Sequence, residues 1–263
     1  MEFRGKSIVV TGAASGIGRA MAVAFSQLDP RALTLLDVNE VGLREVGEAT
    51  GAAWHVCDLG EESAVTATLN DIEDRCAGID LYCGNAGILY YGGFETPTDA
   101  FQRVMDINVM SHVHAIRTLL PGMVNRGSGH VLITASAAGL LTQLGSLSYA
   151  VSKHAALAVA EWLAASYADR GIRASALCPQ AVATAMTADT DGGSVAGIDG
   201  MLQPDEVAQA VIEGLQQDRF LILPHPQVKQ YFLNKAENYD RWVGGMAKLQ
   251  RQFAELRPVF PDG

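Results

Sequence analysis

Residues 7–18 read SIVVTGAASGIG, and this stretch decides the fold. Residues 7–10 are β-prone and run directly into Thr11 and Gly12, whereas the apolar spacing after Gly18 is that of a helix. A strand, a glycine turn and a helix are therefore predicted in succession. Glycines let the backbone approach a phosphate closely, and the first amides of a helix are free donors, so the turn suits a pyrophosphate. A tight turn that binds no ligand is the alternative.

Composition and charge argue against several classes of protein, among them nucleic-acid-binding and membrane-spanning ones. The 263 residues are 49% hydrophobic, enough for a sizeable core, and the net charge of −10 argues against nucleic acid and anionic membranes as partners. No apolar run approaches the ~18 residues of a spanning helix, and the N-terminus lacks a signal-peptide pattern, so we expect a cytoplasmic protein. Cys57, Cys76, Cys83 and Cys178 lack metal-ligand spacing, and no metal site is predicted.

Strand-like and helical runs alternate along the chain, as is typical of an α/β fold with a parallel sheet covered on both faces. Strands are predicted at 7–11, 32–37, 53–57, 79–84, 130–135, 172–178 and 220–223, and helices at 17–28, 41–50, 62–76, 99–125, 148–170 and 204–217. We expect residues 1–225 to form a dinucleotide-binding catalytic domain and 226–263 to be its helical extension. One interpretation of the glycine-rich residues 188–200 is a mobile lid.

The second predicted strand ends at Asp37, where a dinucleotide-binding fold reads the adenosine ribose. A carboxylate accepts hydrogen bonds from both ribose hydroxyls and repels a 2′-phosphate. No Arg or Lys stands at positions 13–15 or 38 to compensate. The cofactor is therefore predicted to be NAD rather than NADP. An acid that merely caps the next helix is the alternative.

Three side chains form the candidate catalytic group. Ser136 ends the fifth predicted strand, at the sheet edge where ligands bind, and Tyr149 and Lys153 follow in the next helix. Their i, i+4 spacing puts the ammonium beside the phenol. Because a free phenol titrates near pH ~10, a nearby cation is needed to favour the phenolate.

The glycine turn with Gly12, Gly16 and Gly18, together with Ser136 and Tyr-x-x-x-Lys, resembles the short-chain dehydrogenase/reductase family. The resemblance runs from about residue 7 to 223. It implies a single Rossmann-like domain with a doubly wound parallel sheet of about seven strands. It also implies reversible hydride transfer between NAD(H) and a secondary alcohol or ketone.

The resemblance implies a role for each catalytic candidate. Tyr149 exchanges the hydroxyl proton, Lys153 binds the ribose hydroxyls and biases Tyr149, and Ser136 fixes the substrate oxygen. Asn108 matches an asparagine that bends the helix in similar enzymes and holds a water on its backbone carbonyl. An exposed mid-helix asparagine is the alternative for Asn108.

The resemblance also implies the cofactor contacts, which run through the turn and the ends of later strands. Asp58 matches an acid that meets the adenine amino group, although a plain turn residue would look the same. Gly84 replaces the first asparagine of the family's Asn-Asn-Ala-Gly, which puts local rigidity in doubt. The predicted cofactor residues are Gly12, Ser15, Gly16, Ile17, Gly18, Asp37, Asp58, Leu59, Asn85, Gly87, Tyr149, Lys153, Pro179, Val182 and Thr184.

The substrate is expected to be a small molecule that meets Ser136, Tyr149 and Gln180. Gln180 replaces a family glycine, and its amide either enters the substrate pocket or points outward. Four apolar side chains flank the predicted site and favour an apolar alcohol or ketone: Leu140, Leu141, Leu144 and Met186. Two other functions are alternatives, a non-catalytic dinucleotide sensor and an isomerase or dehydratase. The joint presence of the catalytic candidates disfavours the first, and the short chain disfavours the second.

Residues 226–263 carry a single apolar stripe, interrupted by one lysine, at helical spacing. Its members are Phe232, Lys235, Tyr239, Trp242, Met246, Leu249, Phe253 and Leu256. Gly244 and Gly245 suggest a kink or close packing. One interpretation is a wall that closes the substrate site of the same subunit. We favour the other, in which the second half packs against another subunit of a homodimer or homotetramer while residues 231–242 lie near the substrate pocket.

Overall fold

The computed structural model describes residues 1–188 and 195–253. Its centre is a seven-stranded sheet of order β3-β2-β1-β4-β5-β6-β7 in which every pair is parallel. The strands are β1 (Ser7–Thr11), β2 (Ala32–Asp37), β3 (Ala53–Val56), β4 (Leu81–Gly84), β5 (Gly129–Thr134), β6 (Ile172–Leu177) and β7 (Leu221–Ile222). All seven predicted strands are present, and the predicted α/β fold is confirmed.

Helices cover both faces of the sheet. They are α1 (Gly16–Ser26), α2 (Glu40–Thr50), α3 (Glu62–Cys76), α4 (Thr98–Met105), α5 (Ser111–Arg126), α6 (Ala138–Leu141), α7 (Leu147–Tyr167), α8 (Pro204–Gln216), α9 (Gln227–Glu237) and α10 (Tyr239–Gln252). Helices α1, α2 and α8 enclose one apolar core, and α3, α5 and α7 enclose the other. This is the doubly wound, Rossmann-like arrangement that the glycine turn predicts. None of the described helices is both long enough and apolar enough to cross a membrane.

The strand order reverses between β1 and β4, because β2 lies on one side of β1 and β4 on the other. In open parallel sheets such a reversal opens a crevice at the carboxyl ends of the strands, where ligands bind. Gly12, Asn85 and Ser136 follow β1, β4 and β5 at this edge. The topology thus brings together residues that are far apart in the sequence.

The helix predicted at 99–125 is not continuous. A π-helical segment, Asp106–Met110, separates α4 from α5. The cause is Asn108, which is fully buried and whose side chain bonds outside its own helix, to both the amide and the carbonyl of Ile88. The wider π turn accommodates this long-range attachment.

The predicted C-terminal helical extension consists of two helices, α9 and α10, which meet at Asn238. The Asn238 side chain accepts a hydrogen bond from the Arg241 amide and so caps α10. Gly244 and Gly245 cause no break, since α10 continues across them. The bend lies at the N-cap residue and not at the glycine pair, and Cβ atoms on Gly244 and Gly245 would meet no atom of the described residues within 4 Å, so neither the kink nor the close packing suggested for the pair is found.

The two C-terminal helices fold back onto their own chain. The Lys235 ammonium donates to the Leu140 carbonyl at 2.7 Å, and the Trp242 indole N–H donates to that of Leu141 at 3.4 Å. These carbonyls end α6 and lack partners within it. The stripe expected to need another subunit thus faces its own domain at these positions, whereas Phe232 and Tyr239 remain exposed. Phe253 ends the described part, and Leu256 lies outside it.

Candidate active site

The glycine turn packs so tightly that side chains do not fit. Gly12 has φ +64°, and a Cβ on it would lie 2.8 Å from the Ala86 Cα. Gly16 has φ +52° and begins α1, whose N-cap residue Ser15 makes no side-chain capping bond. Gly18 packs behind the turn, where a Cβ would lie 2.8 Å from the Asn85 side-chain nitrogen. Gly12 and Gly16 thus line the cleft, whereas Gly18 holds α1 against β1.

Asp37 lies at the end of β2 with its carboxylate on the wall of the cleft. One carboxylate oxygen accepts from the Ala14 amide at 3.1 Å and the other from the Asn39 amide at 3.0 Å. The acid is therefore fixed in orientation by the backbone rather than by a basic side chain. The next helix, α2, is capped by Asn39, so capping is not the function of Asp37.

Asn85 ties three strands together at the switch point. Its amide nitrogen donates to the Thr11 carbonyl at 3.1 Å, and its oxygen accepts from the Thr134 hydroxyl at 3.1 Å. The Thr11 hydroxyl in turn accepts from the amides of Asn85 and Ala86. This network supplies the rigidity that the glycine at position 84 put in doubt.

Asp58 is engaged by a residue that the sequence did not indicate. The Arg103 guanidinium donates to both carboxylate oxygens at 2.8 Å, and Asp58, Leu59 and Arg103 all line the cleft. The Arg103 side chain and the Gly60 amide lower the pKa of Asp58. Arg103 lies 45 residues away, and no local pattern marks the pair.

Ser136, Tyr149 and Lys153 converge on one wall of the cleft. The Lys153 ammonium is buried, donates to the Thr134 carbonyl at 2.8 Å and lies 5.5 Å from the centre of the Tyr149 ring. Ser146 caps α7 by accepting from the Tyr149 amide, which fixes the first turn that carries the phenol. The Ser136 hydroxyl accepts from the Ala138 amide at 3.1 Å.

Burial perturbs both titratable groups of this wall. It raises the pKa of Tyr149 to about 12, against a lowering contribution from Ser136, and it lowers the pKa of Lys153 to about 8. In each case the charged form is disfavoured because it loses solvation. The phenol therefore holds its proton at neutral pH, and the ammonium is close to its titration point.

Asn108 lies beneath this wall rather than on it. Its side chain bonds Ile88 at 2.8 and 2.9 Å and donates to the Ser152 hydroxyl at 3.0 Å. Ser152 is next to Lys153 in α7, so Asn108 connects the β4 loop to the helix that carries the catalytic candidates. It is a buried linking residue, not an exposed one.

Another part of the cleft follows β6, the strand beside β5. Pro179, Val182 and Thr184 line it together with Gln180. The Gln180 side-chain nitrogen Nε2 donates to one carboxylate oxygen of Asp199 at 3.1 Å, and the Tyr231 hydroxyl donates to the other oxygen at 3.0 Å. Gln180 thus belongs to the cleft wall and is held there by a network that reaches α9.

The cleft has a volume of about 1260 Å³ and joins the turn and Asp37 to the wall that carries Ser136, Tyr149 and Lys153. The other predicted cofactor residues Ile17, Asn85 and Gly87 also line it. Leu141, Leu144 and Met186 make its apolar lining, whereas Leu140 is buried away from it. The predicted lid lies partly in residues 189–194, outside the described residues. No group of three or more His, Cys, Asp or Glu suited to a metal occurs in the described ranges.

The far wall of the cleft comes from α9 and α10. Tyr231, Trp242, Met246 and Leu249 line it, together with the charged residues Arg241 and Lys248. The apolar stripe at 232–256 indicated an amphipathic helix, but only the tertiary structure shows which surface that helix packs against. Both halves of the tail, not only residues 231–242, reach the cleft.

Comparison with known proteins agrees with this geometry. A family model described as short chain dehydrogenase matches residues 6–193. The 1-deoxy-11-beta-hydroxypentalenate dehydrogenase of Streptomyces exfoliatus is 34% identical over 244 residues, which cover 87% of this chain and 86% of that protein. The 17-beta-hydroxysteroid dehydrogenase 13 of Rattus norvegicus is 29% identical over 227 residues, covering 83% of this chain and 74% of that one.

A solved structure is similar over the whole length. The short chain dehydrogenase/reductase from Burkholderia phymatum in complex with NAD has a TM-score of 0.81 and 26% identity, covering 100% of this chain and 99% of that one. Because the family model covers most of the sequence, the chain belongs to the short-chain dehydrogenase family.

Proposed function

We propose that the protein is an NAD-dependent dehydrogenase that transfers a hydride reversibly between NAD(H) and a secondary alcohol or ketone. One observation carries the proposal. Ser136, Tyr149 and Lys153 line the same cleft as the glycine turn and Asp37. A proton-transfer group and a dinucleotide cradle thus share one cavity, which a sensor would not require.

The residues of the cleft fit NAD. The backbone at Gly12 and Gly16 would receive a pyrophosphate, and the Asp37 carboxylate, held by the Ala14 amide, would meet the adenosine ribose. Asp58 and Leu59 would lie along the adenine, and Val182 and Thr184 would receive the carboxamide. NAD when bound supplies the hydride acceptor, so the scheme needs no metal. The similar Burkholderia structure is described as an NAD complex, which supports this choice.

Tyr149 would exchange the hydroxyl proton of the substrate. Its raised pKa keeps the phenol protonated at neutral pH, ready to donate to a ketone oxygen. In alcohol oxidation the phenol must first lose that proton, and the Lys153 ammonium at 5.5 Å from the ring centre favours the phenolate. Ser136 would hold the substrate oxygen during the transfer.

Lys153 and Asn108 would organise the remaining proton path. The Lys153 ammonium uses one donor on the Thr134 carbonyl, which leaves donors for the ribose hydroxyls. Asn108 lies in the π segment, where backbone hydrogen bonding is irregular, and its carbonyl would anchor a water for proton relay. Its side-chain bond to Ser152 holds α7 at this point.

The cleft favours an apolar substrate. Leu141, Leu144 and Met186 line it beside the catalytic wall, and Gln180 would add one polar contact. Relatives are named for dehydrogenation of hydroxypentalenate and hydroxysteroid compounds, which supports oxidation of a hydroxyl group here.

We further propose a homodimer or homotetramer in the cytoplasm. Val151 and Trp162 are exposed apolar side chains of α7, with 41% and 65% of their surface accessible. Such side chains on one helix suit a subunit contact. Sizing by light scattering tests this point, and a monomer at micromolar concentration would contradict it.

A panel of secondary alcohols tests the activity. The purified protein is incubated with NAD and each alcohol, and formation of NADH is followed by its absorbance. We expect turnover of apolar secondary alcohols, reversed with the matching ketone and NADH. Absence of NADH formation with every alcohol, alongside measurable NAD binding, would contradict the proposed reaction and favour a sensor.

A further inference from the structure

The wall of the cleft formed by α10 carries both apolar and positively charged side chains. Its apolar side chains Trp242, Met246 and Leu249 line the cleft, but so do the two cations Arg241 and Lys248. These cations are seven residues apart, two helical turns, so they lie on one face about 10 Å apart along the axis. An apolar pocket thus has a positively charged stretch along one side.

The two cations have no acidic partner in the described ranges, 1–188 and 195–253. Neither takes part in any of the ion pairs found there within 4 Å. Arg103 is engaged by Asp58, and Lys153, which bonds the Thr134 carbonyl, is assigned with its remaining donors to the cofactor ribose. Arg241 and Lys248 are therefore the cleft cations left for a substrate in this part of the chain.

The helix leaves space between these cations. Gly245 also lines the cleft, and a Cβ placed on it would meet no atom within 4 Å. The position between Arg241 and Lys248 is thus open toward the cavity. One acid that also lines the cleft, Glu237, is the last residue of α9, and it forms none of the ion pairs found within 4 Å in the described ranges. The charged side chains that α10 contributes to the cleft are both positive, although the whole chain has a net charge of −10.

We propose that the substrate is an apolar secondary alcohol or ketone that also carries a carboxylate, which Arg241 and Lys248 bind. This inference rests on the proposed function, because it concerns the far end of the same substrate. The apolar body lies against Trp242, Met246 and Leu249, with the reacting carbon toward Tyr149. Arg is suited to a carboxylate because its planar guanidinium donates two parallel hydrogen bonds. Arg241 and Lys248 determine specificity and take no part in the chemical step.

A series of hydroxy fatty acids tests the inference. Each has a secondary hydroxyl at increasing distance from the carboxylate, and each is compared with its methyl ester, which keeps the shape and removes the charge. We expect one range of spacing at which kcat/KM for the acid exceeds that for the ester by about tenfold, the typical gain from a charge-assisted hydrogen bond. The preference should decrease with added salt.

Variants locate the effect. Arg241→Gln and Lys248→Gln should each reduce the ratio of acid to ester, and the double variant should bring it close to one. Arg251→Gln is the matched control, because Arg251 lies on the same helix but does not line the cleft, and it should keep the full ratio. Calorimetric titration of the acid into the NADH-loaded protein gives an independent measure of binding and should show the same order.

The outcomes separate the two proposals. If esters and neutral alcohols are oxidised as well as the acids at every spacing, the carboxylate inference is wrong while the dehydrogenase proposal stands. If a phosphate monoester of the same skeleton is clearly preferred to the acid, the cations bind phosphate and the inference is again wrong. If no alcohol, acid or ester yields NADH, the proposed function fails and the inference falls with it.

Discussion

A Cβ atom on Gly84 would lie 2.6 Å from Nδ1 of His112, so the imidazole occupies the space that a side chain at position 84 would need. His112 is 1% exposed, and neither ring nitrogen has a hydrogen-bond partner among the described residues. Burial lowers the pKa of His112 to about 3, which keeps the ring neutral. The departure from the family pattern at position 84 therefore makes room for a side chain of α5.

Gly84→Ala should destabilise the protein by about 1–3 kcal/mol, because the added methyl forces the ring of His112 out of position. His112→Ala should also destabilise it, by creating a cavity. The double variant should lose less than the sum, with a coupling of about 1 kcal/mol or more. Urea unfolding of the four proteins measures this, and simple additivity would contradict the shared space.

Tyr149→Phe should lower kcat by about 10²-fold or more, because it removes the proton-transfer group and keeps the ring. NAD affinity should change little, since the phenol is only one of many contacts in the cleft. Steady-state kinetics and calorimetric NAD binding measure the two effects. Turnover close to that of the unchanged protein would place the chemistry on another residue.

Asp37→Asn should weaken discrimination against NADP by about tenfold or more, because it removes the charge that repels a 2′-phosphate. The amide oxygen can still accept one of the backbone bonds from Ala14 or Asn39, so the turn should keep its shape. The ratio of kcat/KM for NAD to that for NADP is the measurement. A preference for NADP in the unchanged protein would contradict the assignment of Asp37.

Lys153→Met should change how stability depends on pH. Burial lowers the pKa of Lys153 from 10.5 to about 8, so the folded state binds fewer protons than the unfolded state between these values. The buried ammonium therefore disfavours folding at pH below 8, and this effect fades as pH rises toward 10.5. Relative to Lys153→Met, the unchanged protein should gain stability over that interval.

Chemical unfolding at several pH values measures the difference for Lys153→Met. Lys229→Met, at an exposed position of α9, is the control and should show no such trend. Parallel pH profiles for the unchanged protein and Lys153→Met would contradict a depressed pKa.

Lys235→Met should loosen the wall made by α9 and α10. The buried Lys235 ammonium loses its bond to the Leu140 carbonyl, at an expected cost of about 1–2 kcal/mol. Substrate KM should rise more than kcat falls, since the proposed catalytic residues lie on other elements. Hydrogen exchange of residues 227–252 and steady-state kinetics test this. Unchanged exchange in α9 and α10 would show that the bond does not hold them.

The sequence by itself determined the features that local periodicity encodes. The run into Gly12, the alternation of strand and helix, and the spacing of Tyr149 and Lys153 predicted a doubly wound sheet and the residues that would meet at its edge. These features can be predicted from the sequence because side chains on one face of a strand or helix recur at fixed intervals, and because a glycine turn tolerates few other residues.

Only the tertiary structure decided which distant groups meet. Arg103 pairs with Asp58, and His112 fills the space of a Cβ at Gly84. Asn108 bonds Ile88 from a π-helical segment within the stretch that the sequence predicted as one helix. The C-terminal stripe predicted a surface to pack against, and α9 and α10 contact α6 and line the cleft of their own chain. Such contacts depend on packing between elements far apart in sequence, and hydrophobic burial favours contact without specifying the partner.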